Sequence, residues 1–248
     1  MKDVALDTEL EARRDLAACF RWAAREGLHE AVANHFSYAL DDAGKRLLIN
    51  PNLMHFARIR ASDLIEIDVD DPATMDRPDA PDPTAWGLHG AIHRAHAHAR
   101  CVLHLHPHYA TALATLADSR LPAVDQNSAM FHGRVVVDED YGGLAFEEEG
   151  ARCAQLLADP RTQIMVMGAH GVLSVGATVA EAWNRMWYFE RASRNYVTAL
   201  MTGRPLRALS DEVAEGVAAS MDDYPRQADA FLRELRAILD AEGSDYAA

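Results

Sequence analysis

Histidine is concentrated in one part of this 248-residue chain, where seven of the twelve histidines lie between His89 and His108. Two of the seven, His104 and His106, stand two residues apart in the apolar run CVLHLH, which is typical of a buried β-strand. Alternate residues of a strand point to one face, so both imidazoles can converge on one point. Neutral imidazole is a common ligand of divalent metals, and the pair predicts half of a metal site. Two hydrogen-bonded histidines at a strand end are the alternative.

A third ligand must come from elsewhere in the chain, and His170 is the best candidate. It lies in the sequence MGAHG between two apolar strands, where Gly168 and Gly171 would let the backbone turn tightly. Three imidazoles on one side of a metal ion leave open positions for water and substrate, as in catalytic sites. The competing interpretation is a turn histidine exposed to water.

His89, His93 and His96 have the spacing of one helical face and offer a competing metal site. The glutamate of an HExxH motif is absent between them, so a zinc site of that type is not indicated. We expect one of the three to reach the active site and the others to be solvated or hydrogen-bonded. His98 and His108 are interpreted as surface positions or as neighbours of the ligands.

The elements that must position these histidines are short strands with flanking helices. We predict helices over 7–26, 84–99, 109–116, 146–157, 179–201 and 210–239, and strands over 34–38, 46–49, 64–69, 101–106, 134–137, 164–167 and 172–175. Thr84 is the candidate cap of the second helix. The sequence lacks the regular βαβ alternation and the GxGxxG loop of a dinucleotide fold, so it indicates an α/β or α+β layered domain with one sheet.

The composition indicates one acidic domain that spans residues 1–248. The chain has 38 acidic and 24 basic residues and a formal charge of −14, which argues against a nucleic-acid binder. Its three cysteines are widely spaced and odd in number, as expected for reduced thiols. The sequence shows no signal-peptide pattern and no apolar run near the roughly 18 residues of a membrane span. We therefore expect a cytoplasmic protein without membrane partners.

Four segments of the chain share a pattern with known proteins. The first is CVLHLHPHYATA, with His89 fifteen residues before its first histidine, and the second is the later AHGVL. The other two segments are Asn34-His-Phe-Ser and Leu48-Ile-Asn-Pro-Asn. A predicted helix from Glu181 follows the AHGVL segment. Together they resemble the class II aldolase/adducin family, with its glycine-asparagine-isoleucine-serine and threonine-proline loops. The resemblance covers about residues 9–201, with a C-terminal helical region over 210–241 beyond it.

The resemblance implies a three-layer α/β/α fold with a largely antiparallel central sheet. It also implies a homotetramer with active sites between subunits, and His104, His106 and His170 as ligands of a divalent metal. Zinc is the ion that the family normally uses, while manganese, iron and cobalt also suit three imidazoles with open positions. In the aldolases the metal binds two oxygens of a hydroxycarbonyl substrate and stabilises the enediolate left by carbon–carbon cleavage.

The sequence departs from the aldolase pattern at the positions for proton transfer and phosphate binding. The sugar-phosphate aldolases carry an acid/base glutamate nineteen residues before the first metal histidine, where this chain has Ala85. Asn52-Leu53 stand where threonine-glycine is expected, and Pro83 replaces a serine. Alanine cannot move a proton, and Leu53 has a side chain where close backbone approach favours glycine. We therefore expect a substrate without phosphate.

The favoured function is a metal-dependent lyase that cleaves a carbon–carbon bond of a small, unphosphorylated hydroxy- or oxo-acid. Aldol-type cleavage and decarboxylation share a metal-stabilised enolate, but decarboxylation needs no glutamate to deprotonate a leaving alcohol. The candidate proton donors are a water molecule at the metal and the side chains of His132, Tyr141 and His89. Tyr141 could instead be a turn aromatic packed on the next helix. The candidate substrate contacts, each equally at home in a turn or cap, are Asn34, Ser37, Asn52, Thr84 and Gln126.

Two other functions remain open. The missing glutamate favours an adducin-like binding or scaffold module without catalysis, whereas three convergent imidazoles have no purpose in such a module. A sugar-phosphate aldolase or 4-epimerase would need the phosphate contacts that this chain lacks. For oligomerisation the sequence adds an aromatic-rich cluster on one helix, part of which could face a neighbouring subunit or pack in the core: Trp183, Met186, Trp187, Tyr188 and Phe189.

Overall fold

The computed structural model describes residues 2–141, 143, 146–222, 224 and 226–248. These residues form seven strands: β1 (His35–Ala39), β2 (Arg46–Ile49), β3 (Ile65–Asp68), β4 (Cys101–Leu105), β5 (Val135–Asp138), β6 (Ile164–Met167) and β7 (Gly171–Gly176). The strands make one sheet in the order β3-β2-β1-β4-β7-β6-β5. Neighbouring strands are antiparallel except β5 and β6, which are parallel. The predicted, largely antiparallel sheet is confirmed.

One end of the sheet collects the histidines predicted to bind a metal. β1 begins at this end with His35, while β4 and β6 run toward it and end shortly before His106 and His170. His35 pairs with His104 across the antiparallel ladder of β1 and β4, so both side chains lie on one face of the sheet. We call this the histidine end.

Helices cover both faces of the sheet and give three layers. They are α1 (Lys2–Glu26), α2 (Pro83–Ala95), α3 (His108–Ala114), α4 (Gln126–Ala129), α5 (Phe146–Leu156), α6 (Val179–Leu200), α7 (Asp211–Asp222) and α8 (Arg226–Ala241). One face of the sheet packs against α2 and α5, and the other packs against α1, α3, α6 and α8. The predicted α/β/α arrangement is confirmed.

The central strand β4 shows how the sequence divides between these layers. Cys101, Leu103 and Leu105 are fully buried on the face that carries α1 and α6. Val102 packs on the opposite face with residues of α2 and α5, and alternation places His104 on that face too. A candidate metal ligand therefore lies under the helix that carries the other histidine cluster.

Helix α2 begins with a different cap from the one predicted. Asp82, not Thr84, is the N-cap, and its carboxylate accepts a hydrogen bond of 2.8 Å from the backbone N–H of Thr84. Pro83 occupies the first helical turn, where its missing N–H has no partner to lose. The aspartate cap fixes where the helix starts, and hence which residues face the sheet.

Several predicted helix bounds differ from the structure: α1 begins at Lys2 instead of residue 7, α3 ends at Ala114 instead of residue 116, and two larger differences have a clear physical reason. α2 ends at Ala95 rather than Ala99, because residues 96–100 must reverse the chain before β4 begins. The single helix predicted over 210–239 is two helices, α7 and α8. The sequence between them contains Pro225, which lacks a backbone N–H and would clash with the preceding turn of a continuous helix.

The aromatic-rich cluster of α6 packs within the chain. Three of its side chains are fully buried in the main core: Trp183, Met186 and Phe189. The other two, Trp187 and Tyr188, are half-buried, and the ring of Trp187 lies 5.4 Å from that of Phe231 on α8. Core packing therefore accounts for these side chains, and they give no separate argument for a subunit contact.

None of the described helices is both long and apolar enough to cross a membrane. The cysteines Cys19, Cys101 and Cys153 are buried, unpaired thiols. The described fold is therefore held by packing and hydrogen bonds and not by disulfide bonds.

Candidate metal centre

Three histidines meet at the histidine end of the sheet, as the sequence predicts. His104 lies on β4, His106 follows the last residue of β4, and His170 lies in the turn between β6 and β7. One ring nitrogen of each lies within 4.8 Å of the other two, and the Nε2 atoms of His104 and His106 are 3.2 Å apart. His104 is buried and the other two are half-buried, so the group is accessible from one side.

The turn that carries His170 differs in detail from the prediction. Its left-handed residue is Ala169, with a φ of 56°, and not either of the flanking glycines. The glycines allow close packing instead. A Cβ on Gly171 would lie 2.4 Å from Cδ2 of His106, and one on Gly168 would lie 2.8 Å from a backbone oxygen. Gly171 thus lets the turn approach the end of β4, and Gly168 lets it approach the end of β5 at Asp138.

Burial keeps the three imidazoles neutral at pH 7, which is the form that binds a metal. It lowers the pKa of His104 well below its usual value, lowers that of His170 to about 4, and lowers that of His106. Nδ1–H of His104 donates to the backbone oxygen of Val172 at 3.2 Å. This bond puts the proton of His104 on Nδ1, so the lone pair of its Nε2 points toward the other two rings and lies at hydrogen-bond distance, 3.2 Å, from Nε2 of His106.

Two carboxylates lie beside the outer nitrogens of these rings. Oε1 of Glu149 on α5 is 4.0 Å from Nδ1 of His170, and Oε2 of Glu30 is 4.0 Å from Nδ1 of His106. Glu149 is 5% exposed, and burial raises the pKa of its carboxyl group. Its Oε1 and the Nδ1 of His170 are both buried without a hydrogen-bond partner among the described residues. A carboxylate in this place can hold a metal-binding imidazole in one orientation.

The donor set fits a divalent transition metal. Convergent neutral nitrogens at a buried strand end, with one ring fixed by a carbonyl, resemble the arrangement of catalytic zinc sites. The Nδ1 of His170, which has no partner among the residues that the structure describes, also fits, because binding through Nε2 would leave Nδ1–H to donate toward Glu149. Three imidazoles do not by themselves choose between zinc, manganese, iron and cobalt.

Behind the three histidines, a row of polar side chains lies between β1 and α2. The ring of His35 lies 4.9 Å from that of His104, and its Nδ1 is 2.6 Å from Nε2 of His89. Nδ1 of His89 contacts the Ser37 hydroxyl, whose oxygen is 2.6 Å from Nε2 of His93. We call His35, His89, Ser37 and His93 the polar row; each is 6% exposed or less. His89 and Ser37, predicted as catalytic and substrate-binding residues, thus lie one layer behind the ligands.

The two other candidate proton donors lie at opposite ends of β5. Tyr141 follows the strand at the histidine end, with its ring 5.5 Å from that of His170 and 45% of its surface exposed. His132 precedes the strand, at the end remote from His170. Within one chain the fold therefore brings Tyr141 to the candidate ligands but not His132.

Of the predicted substrate contacts, Asn34 lies at the histidine end and has a polar atom available for a ligand. It precedes His35, has a φ of 74°, and accepts the backbone N–H of Glu30 at 2.8 Å through Oδ1. Its Nδ2 is buried and has no partner in the part of the chain that the structure describes. Asn52 is exposed in the loop after β2, at the same end of the sheet.

The two remaining predicted contacts have other surroundings. The hydroxyl of Thr84 donates to the carboxylate of Asp82 in the first turn of α2. Gln126 is exposed on α4, which packs against α6 and α7. Thr84 therefore supports the helix cap, and Gln126 lies on the surface of the chain.

Ala85, at the position of the aldolase glutamate, is fully buried and packs against the sheet. Its neighbours in this apolar cluster include Leu47, Ile49 and Ile67. A carboxylate among these side chains would lose its hydration without gaining a partner. This position therefore offers no group for proton transfer.

Sequence reasoning missed two residues of the site, His35 and Glu149. β1 held a usable signal, because His35 and Ser37 alternate with apolar residues and so point to one face. Glu149 gave no such signal, since it is one of three consecutive glutamates in the sequence.

Comparison with known proteins agrees with this geometry. Residues 14–197 match the family of the class II aldolase and adducin N-terminal domain. The chain belongs to this family. The matched region contains the three candidate ligands and the whole polar row, whereas α7 and α8 lie outside it.

Relatives of this class II aldolase/adducin protein carry names of three kinds. It is 32% identical over 220 residues to a putative aldolase class 2 protein of Caulobacter vibrioides. The aligned residues make up 87% of this chain and 82% of that relative. It is 30% identical over 184 residues to decarboxylase NovR of Streptomyces niveus, covering 71% and 67%. It is 27% identical over 174 residues to alpha-adducin of Rattus norvegicus, covering 69% and 23%.

Solved structures of the class II aldolase fold superpose on nearly the whole chain. An aldolase II superfamily protein from Pseudomonas syringae has a TM-score of 0.83 at 28% identity and covers 97% of this chain and 96% of its own. L-fuculose 1-phosphate aldolase from Glaciozyma antarctica PI12 has a TM-score of 0.81 at 19% identity, covering 98% and 94%. The second similarity concerns the fold alone. The expected class II aldolase/adducin fold is confirmed.

Proposed function

We propose that this protein is a metal-dependent lyase that cleaves a carbon–carbon bond of a small, unphosphorylated hydroxy- or oxo-acid. The proposal is carried by the convergence of His104, His106 and His170, whose ligand atoms lie within 4.8 Å of one another. These residues would hold a divalent ion, for which zinc is the first choice. When bound, the ion would supply a Lewis acid that stabilises negative charge on a substrate oxygen.

Decarboxylation is the favoured reaction of such a lyase. Loss of carbon dioxide leaves an enolate that must be protonated, but it requires no base for a leaving alcohol. This requirement agrees with Ala85, which offers no carboxylate and packs among apolar side chains. Two groups near the ligands can supply the proton, the phenol of Tyr141 and the imidazole of His35. The similarity to a relative named as a decarboxylase supports this choice.

The loops at the histidine end favour a substrate without phosphate. Leu53 is 71% exposed there with a φ of 58°, so a side chain stands where a phosphate loop would present backbone N–H groups. The hydroxyl of Thr84 is already bonded to Asp82, whose negative charge would repel a phosphate. Asn34 offers its Nδ2, which has no partner among the described residues, to an oxygen of a substrate carboxylate.

The proposal includes a homotetramer that acts in the cytoplasm, with active sites completed between subunits. Two large exposed side chains at the histidine end support this assembly: Leu53 is 71% exposed and Tyr141 is 45% exposed. Exposed apolar surface of this kind is typical of contacts between subunits. The buried, unpaired cysteines support a reducing compartment.

A non-catalytic binding module similar to adducin is the second candidate. The burial of Ala85 among apolar side chains favours it, because the proton-transfer group of the aldolases has no counterpart at that position. The three neutral imidazoles and the polar row argue against a non-catalytic binding module. Buried polar groups are unfavourable unless paired, and a binding module would gain nothing from them.

A substrate screen tests the proposed lyase. Protein loaded with zinc, manganese or cobalt is incubated with 2-oxo acids, hydroxy acids and sugar phosphates, and released carbon dioxide and carbonyl products are measured. We expect metal-dependent release of carbon dioxide from an unphosphorylated acid, lost in His104→Ala and retained in the control His98→Gln. Cleavage restricted to sugar phosphates, or bound metal without turnover of any acid, would contradict the proposal.

A further inference from the structure

Helix α3 lies between two of the three candidate ligands. It begins at His108, two residues after His106, and ends at Ala114. The backbone oxygen of Ala114 accepts the N–H of Ala169 at 2.8 Å, and Ala169 directly precedes His170. Because a helix has a fixed length, a displacement of its first turn is passed on to its last turn. The position of α3 is therefore coupled to both His106 and His170.

The first turn of α3 receives its cap from another helix. Its own N-cap residue is Pro107, which makes no side-chain cap hydrogen bond. A polar N-cap side chain would normally bind the N–H of the second or third helical residue, which here are Tyr109 and Ala110. Both N–H groups instead donate to the carboxylate of Glu190 on α6, at 3.1 Å to Oε1 and 2.8 Å to Oε2. Glu190 thus replaces the missing cap and ties the start of α3 to α6.

Helix α6 gives this bond a fixed end. It follows β7 in the chain and packs on the sheet face that also carries α1 and α8. Phe189 and Ala192, on either side of Glu190, are fully buried in the main core, and the ring of Phe189 lies 5.3 Å from that of Phe131. Glu190 itself is half-buried. The carboxylate that holds α3 is therefore carried by a part of α6 that the core keeps in place.

We propose that Glu190 is a positioning residue of the metal centre, which holds α3 so that His106 and His170 converge with His104. The inference rests on the proposed metal centre and adds to it a residue that acts through a helix and not through contact with a ring. We call Glu190, α3 and the N–H of Ala169 the brace. The brace fixes His106 from the start of α3 and the turn of His170 from its end.

The brace acts on the two ligands that lie outside the strands. His104 belongs to β4, where the ladder with β1 and the bond from its Nδ1 to the oxygen of Val172 hold it. His106 follows the last residue of β4, and His170 lies in the turn between β6 and β7. A metal site loses affinity when its ligands are free to leave the geometry that the ion requires. These two ligands therefore need support from other elements, and α3 follows one of them in the chain and is hydrogen-bonded beside the other.

Pro107→Ser separates the capping of α3 from its attachment to α6. The serine hydroxyl can bind an N–H group of the first turn, so the helix keeps a cap when Glu190 is removed. Glu190→Ala in the Pro107→Ser background is therefore compared with Pro107→Ser alone, so that the effect of a change beside His106 cancels. Glu181→Ala is the matched control, because Glu181 also lies on α6 and accepts a backbone N–H, that of Ala177, at 3.0 Å.

Hydrogen exchange in the metal-free protein tests the brace without any enzymatic activity. The amide N–H of Ala169 is protected by its bond to Ala114, so its exchange rate reports on the far end of α3. We expect this amide to exchange about tenfold faster in Pro107→Ser/Glu190→Ala than in Pro107→Ser. Glu181→Ala in the same background should leave the rate unchanged. Circular dichroism verifies that every variant is folded.

Metal binding gives the second readout. Chelator competition measures the zinc dissociation constant, and the visible absorption of cobalt-loaded protein reports the arrangement of the ligands. We expect the loss of Glu190 in the Pro107→Ser background to weaken zinc binding about tenfold and to change the cobalt spectrum. The loss of a helix cap would not explain either effect, since the serine supplies one. Glu181→Ala should match its reference in both measurements.

An Ala169 exchange rate and a zinc affinity that stay the same when Glu190 is lost in the Pro107→Ser background would overturn the brace. Faster exchange of the Ala169 amide with unchanged zinc affinity would overturn it as well, because the turn would then move without any effect on the metal. A parent protein that holds no zinc would contradict the proposed function, and faster exchange would still show that Glu190 holds the turn of His170.

Discussion

A histidine binds a metal well when one ring nitrogen is bare and the other is held in place. At His104 the carbonyl of Val172 holds Nδ1, and at His170 the buried Glu149 lies beside Nδ1. The first partner is supplied by the strand ladder itself, whereas the second comes from a separate helix. Metal affinity should therefore depend on a carboxylate that no sequence pattern indicated.

Glu149→Gln should weaken zinc binding about 10- to 100-fold, because the amide no longer orients His170 or raises the basicity of its ring. Competition with a coloured chelator measures the dissociation constant. Glu148→Gln is the matched control, one residue away and exposed, and it should bind zinc like the parent. Equal zinc affinities of Glu149→Gln and the parent would show that Glu149 does not orient His170.

The sequence predicted the convergence of the three candidate ligands because local patterns position them. Strand alternation relates His104 to His106, and the short turn between two apolar strands presents His170. His35 and Glu149 depend on which elements pack together, and a single sequence does not state that. The catalytic role of Tyr141 remains a prediction.

At the scale of elements, the turn after β6 must approach the end of β4 before the ligands can converge. Gly171, the first residue of β7, makes this approach possible, because any side chain there would meet the ring of His106 and the backbone of Leu105. The candidate metal centre thus depends on the absence of a Cβ at Gly171 as well as on the three imidazoles.

Gly171→Ala should disturb the metal centre without removing a ligand. Its Cβ would lie 2.4 Å from Cδ2 of His106 and 2.7 Å from the backbone oxygen of Leu105, so the His106 ring must move. We expect zinc affinity to fall at least about tenfold, and the free energy of unfolding to fall by about 1–3 kcal/mol. Chelator competition and chemical denaturation measure the two effects.

Gly216→Ala on α7 is the contrasting substitution. A Cβ at this exposed helical position would meet nothing within 4 Å. Alanine in a helix is about 0.5–1 kcal/mol more favourable than glycine, so this variant should be more stable than the parent and bind zinc equally well. Unchanged zinc binding by Gly171→Ala would mean that β7 does not confine the ring of His106.

Strands were predicted more closely than helix ends. Apolar alternation sets the strands, and the bounds of β2 (Arg46–Ile49) and β6 (Ile164–Met167) are those predicted. The end of α2 depends on where β4 must begin, which is a tertiary constraint. The division between α7 and α8, in contrast, could have been predicted from Pro225.

In the molecule as a whole, the histidines buried between the sheet and α2 link stability to pH. Burial lowers the pKa of His93 from 6.5 to about 4 and lowers that of His89 well below 6.5. Between pH 6.5 and pH 4, His93 binds a proton in the unfolded chain but stays neutral in the folded chain. The unfolded chain therefore binds more protons than the folded chain in this range. The free energy of unfolding should be largest above pH 6.5 and decrease as the pH falls toward 4.

His93→Gln should flatten this pH dependence, because one ring that gains a proton on unfolding is replaced by an amide that does not titrate. Urea denaturation over the window from pH 6.5 to 4 measures the slope. His108→Gln, an exposed position on α3, should keep the slope of the parent. A parental slope in His93→Gln would show that the fold does not hold His93 neutral.

The proposed function depends on His104, His106 and His170 binding one divalent ion together, and the metal content of purified protein measures this directly. Untagged protein equilibrated with zinc and then dialysed should hold one ion per chain. Each single alanine variant should lose it while its circular dichroism spectrum remains that of the folded parent. Variants that all retain zinc with the parent's stoichiometry and affinity would show that these histidines form no metal centre.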